Sequence, residues 1–134
     1  MDCPTNVPLL RKLGIKPGQR VLFVDAPAGF VKDLGALPIG VTIEAEVAPS
    51  LDWIAVFVES QEALRQRFAL LAESLAPAGS LWVAWPKKSS GVETDLSFAA
   101  VQKIGLAAGL VDNKSCSIDG EWQALRFVYR VKAR

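Results

Sequence analysis

Histidine is absent from the 134 residues of this chain, and cysteine occurs only twice. Without histidine, Ser-His-Asp and Cys-His catalysis are excluded, as are the usual zinc sites, and we expect no metal centre. Cys3 and Cys116 are far apart and form no CxxC pair, which predicts a reduced cytoplasmic protein with two isolated thiols. Any chemistry would use Asp, Glu, Lys, Tyr or Cys side chains, or positioning alone.

The sequence also lacks an excess of either charge and lacks long apolar runs. Fifteen Lys and Arg face fourteen Asp and Glu, a net charge of +1, so nothing attracts the whole chain to nucleic acid or anionic lipid. Residues 1–6 have no basic region or apolar core, so we expect no signal peptide, and the prolines in residues 75–86 argue against a membrane span. With 51% hydrophobic residues, the chain is predicted to fold as a single domain over residues 1–134.

Three segments are apolar at both odd and even positions, which is typical of parallel strands covered on both faces. They are "RVLFVDA" (20–26), "LDWIAVFVES" (51–60) and "SLWVAWP" (80–86). The alternating "VTIEAEV" (41–47) predicts a half-exposed strand. The last two segments, 110–119 and 121–132, predict an antiparallel hairpin that turns at Asp119-Gly120.

Two strong helices and two short ones lie between these strands. Residues 60–76 carry an apolar stripe at helical spacing, with Ser60 as N-cap and with Pro77 and Gly79 as the stop. A second helix is expected over 94–110, with Thr94 or Asp95 near its start. Short helices are expected over 6–15, ending at Gly14, and over 29–35.

Helices alternating with parallel strands predict a doubly wound α/β sheet with right-handed crossovers. In such sheets a ligand binds at the carboxyl ends of the strands, where the strand order reverses. Three loops should meet at that edge: "DAPAGF" (25–30), "ESQE" (59–62) and "WPKKSSG" (85–91).

The stretches "KPGQRVLFVDAPAGF" and "LAPAGSLWVAW", followed by the reversed final strand, resemble the class I S-adenosylmethionine-dependent methyltransferase fold. The resemblance implies a Rossmann-like three-layer sandwich, a mostly parallel sheet with a C-terminal antiparallel hairpin, and S-adenosylmethionine as the possible cofactor. "LLRKLGIKPGQRVL", "LWVAWPKKSSGVETDLS" and "GLVDNKSCSIDGEWQALRFVYR" are most similar to a small bacterial family of uncharacterised proteins that look like shortened methyltransferases. That family implies a fold and no activity.

The chain departs from the methyltransferase pattern at two places. The family's acidic, glycine-rich loop keeps Asp25 and Gly29 here, but Pro27 and Ala28 stand where its earlier glycines fall. Glycines there let the backbone approach a cofactor, and proline removes an N–H donor. Only "APSL" separates the second strand from the third, so the fold should be shortened by about one strand–helix unit. The acid that grips the cofactor ribose in the family would be Glu44 or Glu46.

Four candidate ligand-binding residues lie near the first two loops. Asp25 is either an acceptor for a ligand or a cap for the turn after its strand. Gly29 is either a phosphate contact or a turn glycine. Phe30 either lines a pocket beside Asp25 or fills it. Glu59 is either a ligand acceptor or a solvated acid before the next helix.

Trp85, Lys87 and Lys88 are the candidates in the third loop. The tryptophan can stack on a planar ligand and the lysines can meet an anion. The alternative is a core tryptophan beside a solvated basic loop. A nucleotide-binding regulator would depend on these two lysines alone, and it is the weakest of the functions considered.

Partners are predicted from the faces of the sheet. Both strong helices should pack on one face, leaving short helices and apolar residues on the other, which favours a homodimer. Cationic residues alternate along the last strand, but no aromatic residues accompany them, so nucleic acid is not expected as a partner; they are Arg126, Arg130 and Lys132.

Two functions fit these features. The altered loop, the missing strand–helix unit and the lack of histidine favour a methyltransferase-like domain without catalysis, serving as a ligand-binding or protein-interaction module. The alternative is a minimal S-adenosylmethionine-dependent methyltransferase, because methyl transfer depends mainly on aligning the nucleophile with the methyl group.

Overall fold

The computed structural model describes residues 9–130, which form six strands and four α-helices. In chain order the elements are α1 (Leu9–Leu13), β1 (Arg20–Val24), α2 (Phe30–Asp33), β2 (Thr42–Ile43), β3 (Leu51–Phe57), α3 (Gln61–Ser74), β4 (Leu75–Pro86), a 3₁₀ turn (Lys88–Ser90), α4 (Phe98–Ala107), β5 (Leu110–Ser117) and β6 (Trp122–Tyr129).

The strands form one mixed sheet in the order β2-β1-β3-β4-β6-β5. The first four are parallel, and β6 runs antiparallel to both β4 and β5. From β1 the chain builds to one side with β2 and to the other with β3, so the order reverses between β1 and β3. This confirms the predicted Rossmann-like sheet with its C-terminal hairpin, and β2 is followed directly by β3.

The two faces of the sheet are covered unequally, as predicted. One face packs against both long helices through Leu64 and Phe68 of α3 and Val101 and Ile104 of α4. The other packs against the short α1 and α2, with large aromatic side chains of the strands filling the space.

The end of α1 is held by two tryptophans of the sheet. Trp53 of β3 and Trp82 of β4 are each about 1% exposed, and both donate their indole N–H to the Leu13 carbonyl, at 2.8 and 2.9 Å. The last carbonyls of a helix have no hydrogen-bond partner within the helix. The two indole donors supply partners for the Leu13 carbonyl, which would otherwise be buried without a hydrogen bond.

Three predicted boundaries were wrong. Helix α3 ends at Ser74, and residues 76–79 bulge between the pairing of Leu75 with Leu51 and that of Ser80 with Trp53. Only Thr42–Ile43 of the predicted 41–47 strand pairs with β1, because the chain bends at residues 45 and 46. Helix α4 begins at Phe98 with Ser97 as N-cap, later than the predicted start near Thr94 or Asp95, whose side chains bond to the segment before α3 and to its first residue.

Other predicted features are confirmed. Ser60 caps α3 by accepting the Ala63 N–H at 3.1 Å. Gly14 ends α1 with a left-handed φ of 74°. Residues 1–8 and 131–134, which include Cys3, Lys132 and the start of the predicted first helix, lie outside the described part of the chain.

Tyr129 gives the fold a predicted dependence on pH. Its hydroxyl donates to the Ala72 carbonyl of α3. Burial, and secondarily the Glu73 carboxylate, raise the pKa of the Tyr129 hydroxyl above its ordinary value of 10.0. The unfolded chain therefore loses this proton at a lower pH than the folded protein does. The stabilisation is fully present below the unfolded pKa, near 10.0, and is lost as the pH rises from there through the raised pKa of the folded protein. In urea unfolding, the stability difference between the wild type and Tyr129→Phe should shrink above about pH 10, whereas a constant difference would contradict this expectation.

Candidate functional site

The carboxyl ends of β1, β3 and β4 open onto two neighbouring cavities. The smaller, of about 400 Å³, lies at the switch between β1 and β3. The larger, of about 1150 Å³, lies beyond β3 and β4. The exposed Glu59, which follows β3, lines both cavities. Both volumes are within or just above the range of roughly 300–1,000 Å³ common for small-molecule sites. The predicted edge is therefore an open, divided cleft.

Asp25 stands at the mouth of the smaller cavity and is already paired. Its Oδ2 lies 2.8 Å from a guanidinium nitrogen of Arg67 on α3. The Asp25 backbone has a φ of 55°, in the left-handed region that costs a non-glycine residue energy. Both side chains remain about half exposed, so a ligand can compete for either partner. Asp25 therefore forms an ion pair across the cavity, rather than standing as a lone acceptor.

An aromatic group closes the other side of the smaller cavity. Phe57 and Trp122 line the cavity with ring centres 5.1 Å apart at 82°. Phe30 packs on Phe57 at 4.9 Å, is 8% exposed and lines neither cavity. The pocket beside Asp25 is open, and Phe30 supports its wall from the core.

Trp122 also carries an unsatisfied donor. Its indole Nε1 is the one buried side-chain polar atom without a hydrogen-bond partner among the described residues. Leaving a buried donor unpaired costs about 1–3 kcal/mol.

The loop after β1 turns tightly without offering the backbone donors of a glycine-rich loop. Gly29 has a φ of 82°, and a Cβ there would meet only Asp33 Oδ2 at 4.0 Å, so its conformation rather than crowding requires glycine. The Phe30 N–H donates to the Pro27 carbonyl at 3.0 Å. Gly29 lines neither cavity, and α2, which follows it, has only four residues.

Neither of the two acids that follow β2 lines the cleft. Glu44 forms an ion pair with Arg20 at 3.6 Å, and the Arg20 guanidinium also donates to the Pro49 carbonyl at 2.9 Å. Neither Glu44 nor Glu46 lines either cavity. Of the two residues predicted to grip a cofactor ribose, Glu44 is held by Arg20 and neither lines the cleft.

The third-loop candidates contribute unequally to the larger cavity. Trp85 is 2% exposed and belongs to the core, although it contributes to the cavity wall. Lys87 donates its N–H to the Glu121 carbonyl at 2.8 Å and its ammonium to Ser117 Oγ. Lys88 is exposed on the 3₁₀ turn. The two lysines therefore do not act as a matched pair of cations.

The outer wall of the larger cavity is tied to the start of α3. The Thr94 hydroxyl donates to the Glu59 carbonyl at 2.7 Å. Asp95 Oδ1 accepts the Gln61 N–H at 2.8 Å, and the Gln61 amide donates to the Asp95 carbonyl at 2.7 Å. These bonds fix the segment before α4 against the loop that carries Glu59.

Sequence patterns found Asp25, Glu59, Trp85, Lys87 and Lys88 at this edge but missed Arg67 and Trp122. One signal for Arg67 was available. Ala63 and Arg67 are four residues apart in α3, the helix that follows β3, so they lie on the same face of that helix, and both line the smaller cavity. Nothing in the local sequence of Trp122 predicts that its ring packs against Phe57 of β3.

Three further features bear on nucleic-acid binding, membrane association and metal binding. Arg126, one of the alternating cations of β6, is half-buried and donates to Ser80 Oγ at 3.0 and 2.8 Å. Within residues 9–130, no helix has the length and apolar character needed to cross a membrane, and no three Cys, Asp or Glu side chains gather as a metal-binding group.

Comparison with known proteins gives a fold. No family model matches the chain, and no curated protein matches it. Solved structures similar to it include an S-adenosylmethionine-dependent methyltransferase from Aquifex aeolicus (TM-score 0.62, 17% identity, 89% of this chain and 86% of that one). They also include the ribosomal protein L11 methylase from Lactobacillus delbrueckii subsp. bulgaricus (0.61, 13%, 91% and 75%). A third is the magnesium protoporphyrin IX methyltransferase of Synechocystis with bound S-adenosylhomocysteine (0.59, 10%, 91% and 78%).

The chain therefore has the class I methyltransferase fold. Its residues match S-adenosylmethionine only in part. Asp25 and Glu59 stand at the switch point, but Asp25 is held by Arg67, and no acid from β2 lines the cleft to receive a ribose. Taken together, the residues that line the cleft do not fit S-adenosylmethionine.

Proposed function

We propose that this protein is a methyltransferase-like domain without catalysis, which binds a small ligand or a partner at the cleft between β1 and β3. The Asp25–Arg67 ion pair carries the proposal. A cofactor would have to displace Arg67 before it could use this acid, and Glu44, which follows β2, is paired with Arg20. Pro27 and Ala28 in the loop after β1 support the same conclusion.

The lining of the smaller cavity defines the chemistry of its ligand. The Asp25 and Glu59 carboxylates accept hydrogen bonds, while Arg67 donates them. Phe57 and Trp122 supply an apolar wall. A small molecule with an apolar body, an anionic group for Arg67 and a cationic or N–H group for Asp25 and Glu59 would match this lining.

A minimal methyltransferase is the second candidate, favoured by the position of the cavity at the strand-order switch. The three similar structures described above are methyltransferases, and methyl transfer can proceed by positioning alone. The two carboxylates and one guanidinium around the cavity carry a net charge of −1, which suits the cationic S-adenosylmethionine better than the neutral S-adenosylhomocysteine.

Calorimetry separates the two candidates. For the ligand-binding module we expect S-adenosylmethionine and S-adenosylhomocysteine to give no binding isotherm up to about 1 mM. Micromolar binding of S-adenosylmethionine, weakened at least tenfold by Asp25→Asn, would overturn this proposal and support the enzyme. Asparagine is chosen because it tolerates the left-handed backbone of Asp25.

Two further variants locate the site in either case. Arg67→Ala removes the partner of Asp25, whereas Arg65→Ala, on the same helix, removes a guanidinium that bonds Gln61 instead. If the ion pair blocks the cofactor, Arg67→Ala should raise S-adenosylmethionine affinity and Arg65→Ala should not.

We further propose that the protein acts as a homodimer in the bacterial cytoplasm. The support for self-association is the unequal covering of the sheet and the exposed apolar side chains that remain, among them Ile39 and Ile43. The support for the compartment is the cysteine pattern, and Cys116 is a buried free thiol.

A further inference from the structure

β2 is one of the two edge strands of the sheet, and among residues 9–130 no strand pairs with its outer side. Apolar side chains are exposed along this edge: Ile39 is 86% exposed, Ile43 49% and Val47 41%. An unprotected edge with apolar side chains is a template for pairing with another strand. These residues, together with the chain between them, are called the β2 edge below.

The β2 edge has a pattern that is symmetric about Ile43. Ile39 lies four residues before it and Val47 four residues after it. In an antiparallel pair of two copies centred on Ile43, each Ile43 faces its own copy. A two-fold interface must be self-complementary in this way. The chain turns at residues 39 and 40, where Gly40 has a φ of 78°, so Ile39 lies outside the paired stretch.

The backbone hydrogen bonds of β2 agree with the same centre. The N–H groups of Thr42 and Glu44 donate to Gln19 and Val21, at 3.0 and 2.8 Å, so both point towards β1. Because successive residues of a strand alternate, the N–H and C=O of Ile43 point away from β1. Ile43 can therefore exchange both hydrogen bonds with Ile43 of a second chain, as directly opposed residues of an antiparallel pair do.

Charges do not oppose this arrangement. Centred on Ile43, Glu44 of one chain faces Thr42 of the other, and Glu46 faces Gly40, so no like charges stand directly opposite. Glu44 is also paired with Arg20 of its own chain at 3.6 Å. The turn at residues 39 and 40 and the bend at residues 45 and 46 confine backbone pairing to the neighbourhood of Ile43.

We propose that two copies of this chain associate through antiparallel pairing of their β2 edges, with the two-fold axis at Ile43, so that the two six-stranded sheets join into one. This inference rests on the self-association proposed above and specifies the surface that would form it. It leaves the cleft of each copy open, because no residue of the β2 edge lines either cavity.

Sedimentation of wild type and variants tests the surface. The wild type should sediment as a dimer of 14.4 kDa chains. Ile43→Lys places two like charges opposite each other, and Ile43→Pro removes the outward N–H while the bonds to β1 remain. Each should raise the dimer dissociation constant at least about tenfold. Leu70→Lys, which adds the same charge at a 55% exposed leucine of α3, should leave it unchanged.

The outcomes separate the surface from self-association itself. A monomeric wild type would overturn both proposals. A wild-type dimer that Leu70→Lys dissociates and the Ile43 variants do not would overturn the β2 edge alone. Hydrogen exchange of the wild type needs no variant: the Ile43 amide should exchange more slowly in concentrated than in dilute protein, and equal exchange in a sample that is dimeric when concentrated would also overturn the surface.

Discussion

Alanine at position 105 is expected to lower the free energy of unfolding by about 3 kcal/mol, near the upper end of the overpacking range. A Cβ built on Gly105 of α4 would lie 2.0 Å from Phe127 Cε1 and 2.5 Å from Phe127 Cζ. Phe127 is fully buried and packs edge-on against Phe68 at 5.4 Å, so its ring has no free space to move into. The clash outweighs the roughly 1 kcal/mol that alanine gains over glycine in a helix.

Chemical denaturation measures this loss, with two companion variants. Gly120→Ala is the matched control: its Cβ would meet nothing within 4 Å, so its stability should stay within about 0.5 kcal/mol of wild type. Adding Phe127→Leu to Gly105→Ala should recover part of the loss, because the smaller side chain leaves room for the methyl group. An unchanged midpoint for Gly105→Ala would show that α4 lies farther from β6 than the structure gives.

Removing both indole donors from the Leu13 carbonyl is the second large expected effect. Trp53→Phe and Trp82→Phe should each cost about 1–3 kcal/mol, since each loses part of a buried ring and a hydrogen bond. After one substitution the carbonyl keeps the other donor. The double variant leaves it buried and unpaired, so it should lose about 1 kcal/mol more than the sum of the single variants.

A second double variant serves as the control for this coupling. Trp85 is also buried, but it belongs to the core on the opposite face of the sheet. Trp53→Phe combined with Trp85→Phe should therefore be additive. Equal coupling in both pairs would indicate general loosening of the core, and strict additivity of Trp53 and Trp82 would contradict a shared acceptor.

The strands were predictable from sequence because their burial is continuous. Residues 53–58 are apolar at every position, which is typical of a strand covered on both faces. The end of α3 was not predictable in the same way. Gly79 looks like a helix stop, but a Cβ there would meet the Leu51 and Asp52 carbonyls at 3.0 Å, so the glycine serves the approach of β4 to β3.

The candidate site was predictable where topology alone fixes it. Asp25 and Glu59 follow parallel strands on either side of the switch and had to meet at one edge. The ion pair of Asp25 with Arg67 was not predictable, because it depends on how far α3 leans over that edge. The aromatic wall depends on β6, which enters the sheet from the far end of the chain.

This chain has the class I methyltransferase fold, and we propose that its cleft does not hold S-adenosylmethionine. The four tryptophans give four indole N–H signals in a nitrogen-15 spectrum, assignable by the tryptophan-to-phenylalanine variants. The Trp122 signal reports on the smaller cavity, while those of Trp53 and Trp82, bonded to Leu13, serve as internal references.

Titration of the labelled protein with S-adenosylmethionine, followed at the Trp122 indole and the Asp25 amide, tests that claim most directly. We expect both signals to stay in place up to about 1 mM cofactor, while the wild-type fold is intact by the reference signals. A shift of both that saturates at micromolar S-adenosylmethionine, with Trp53 and Trp82 unmoved, would contradict the account and assign the cleft to the cofactor.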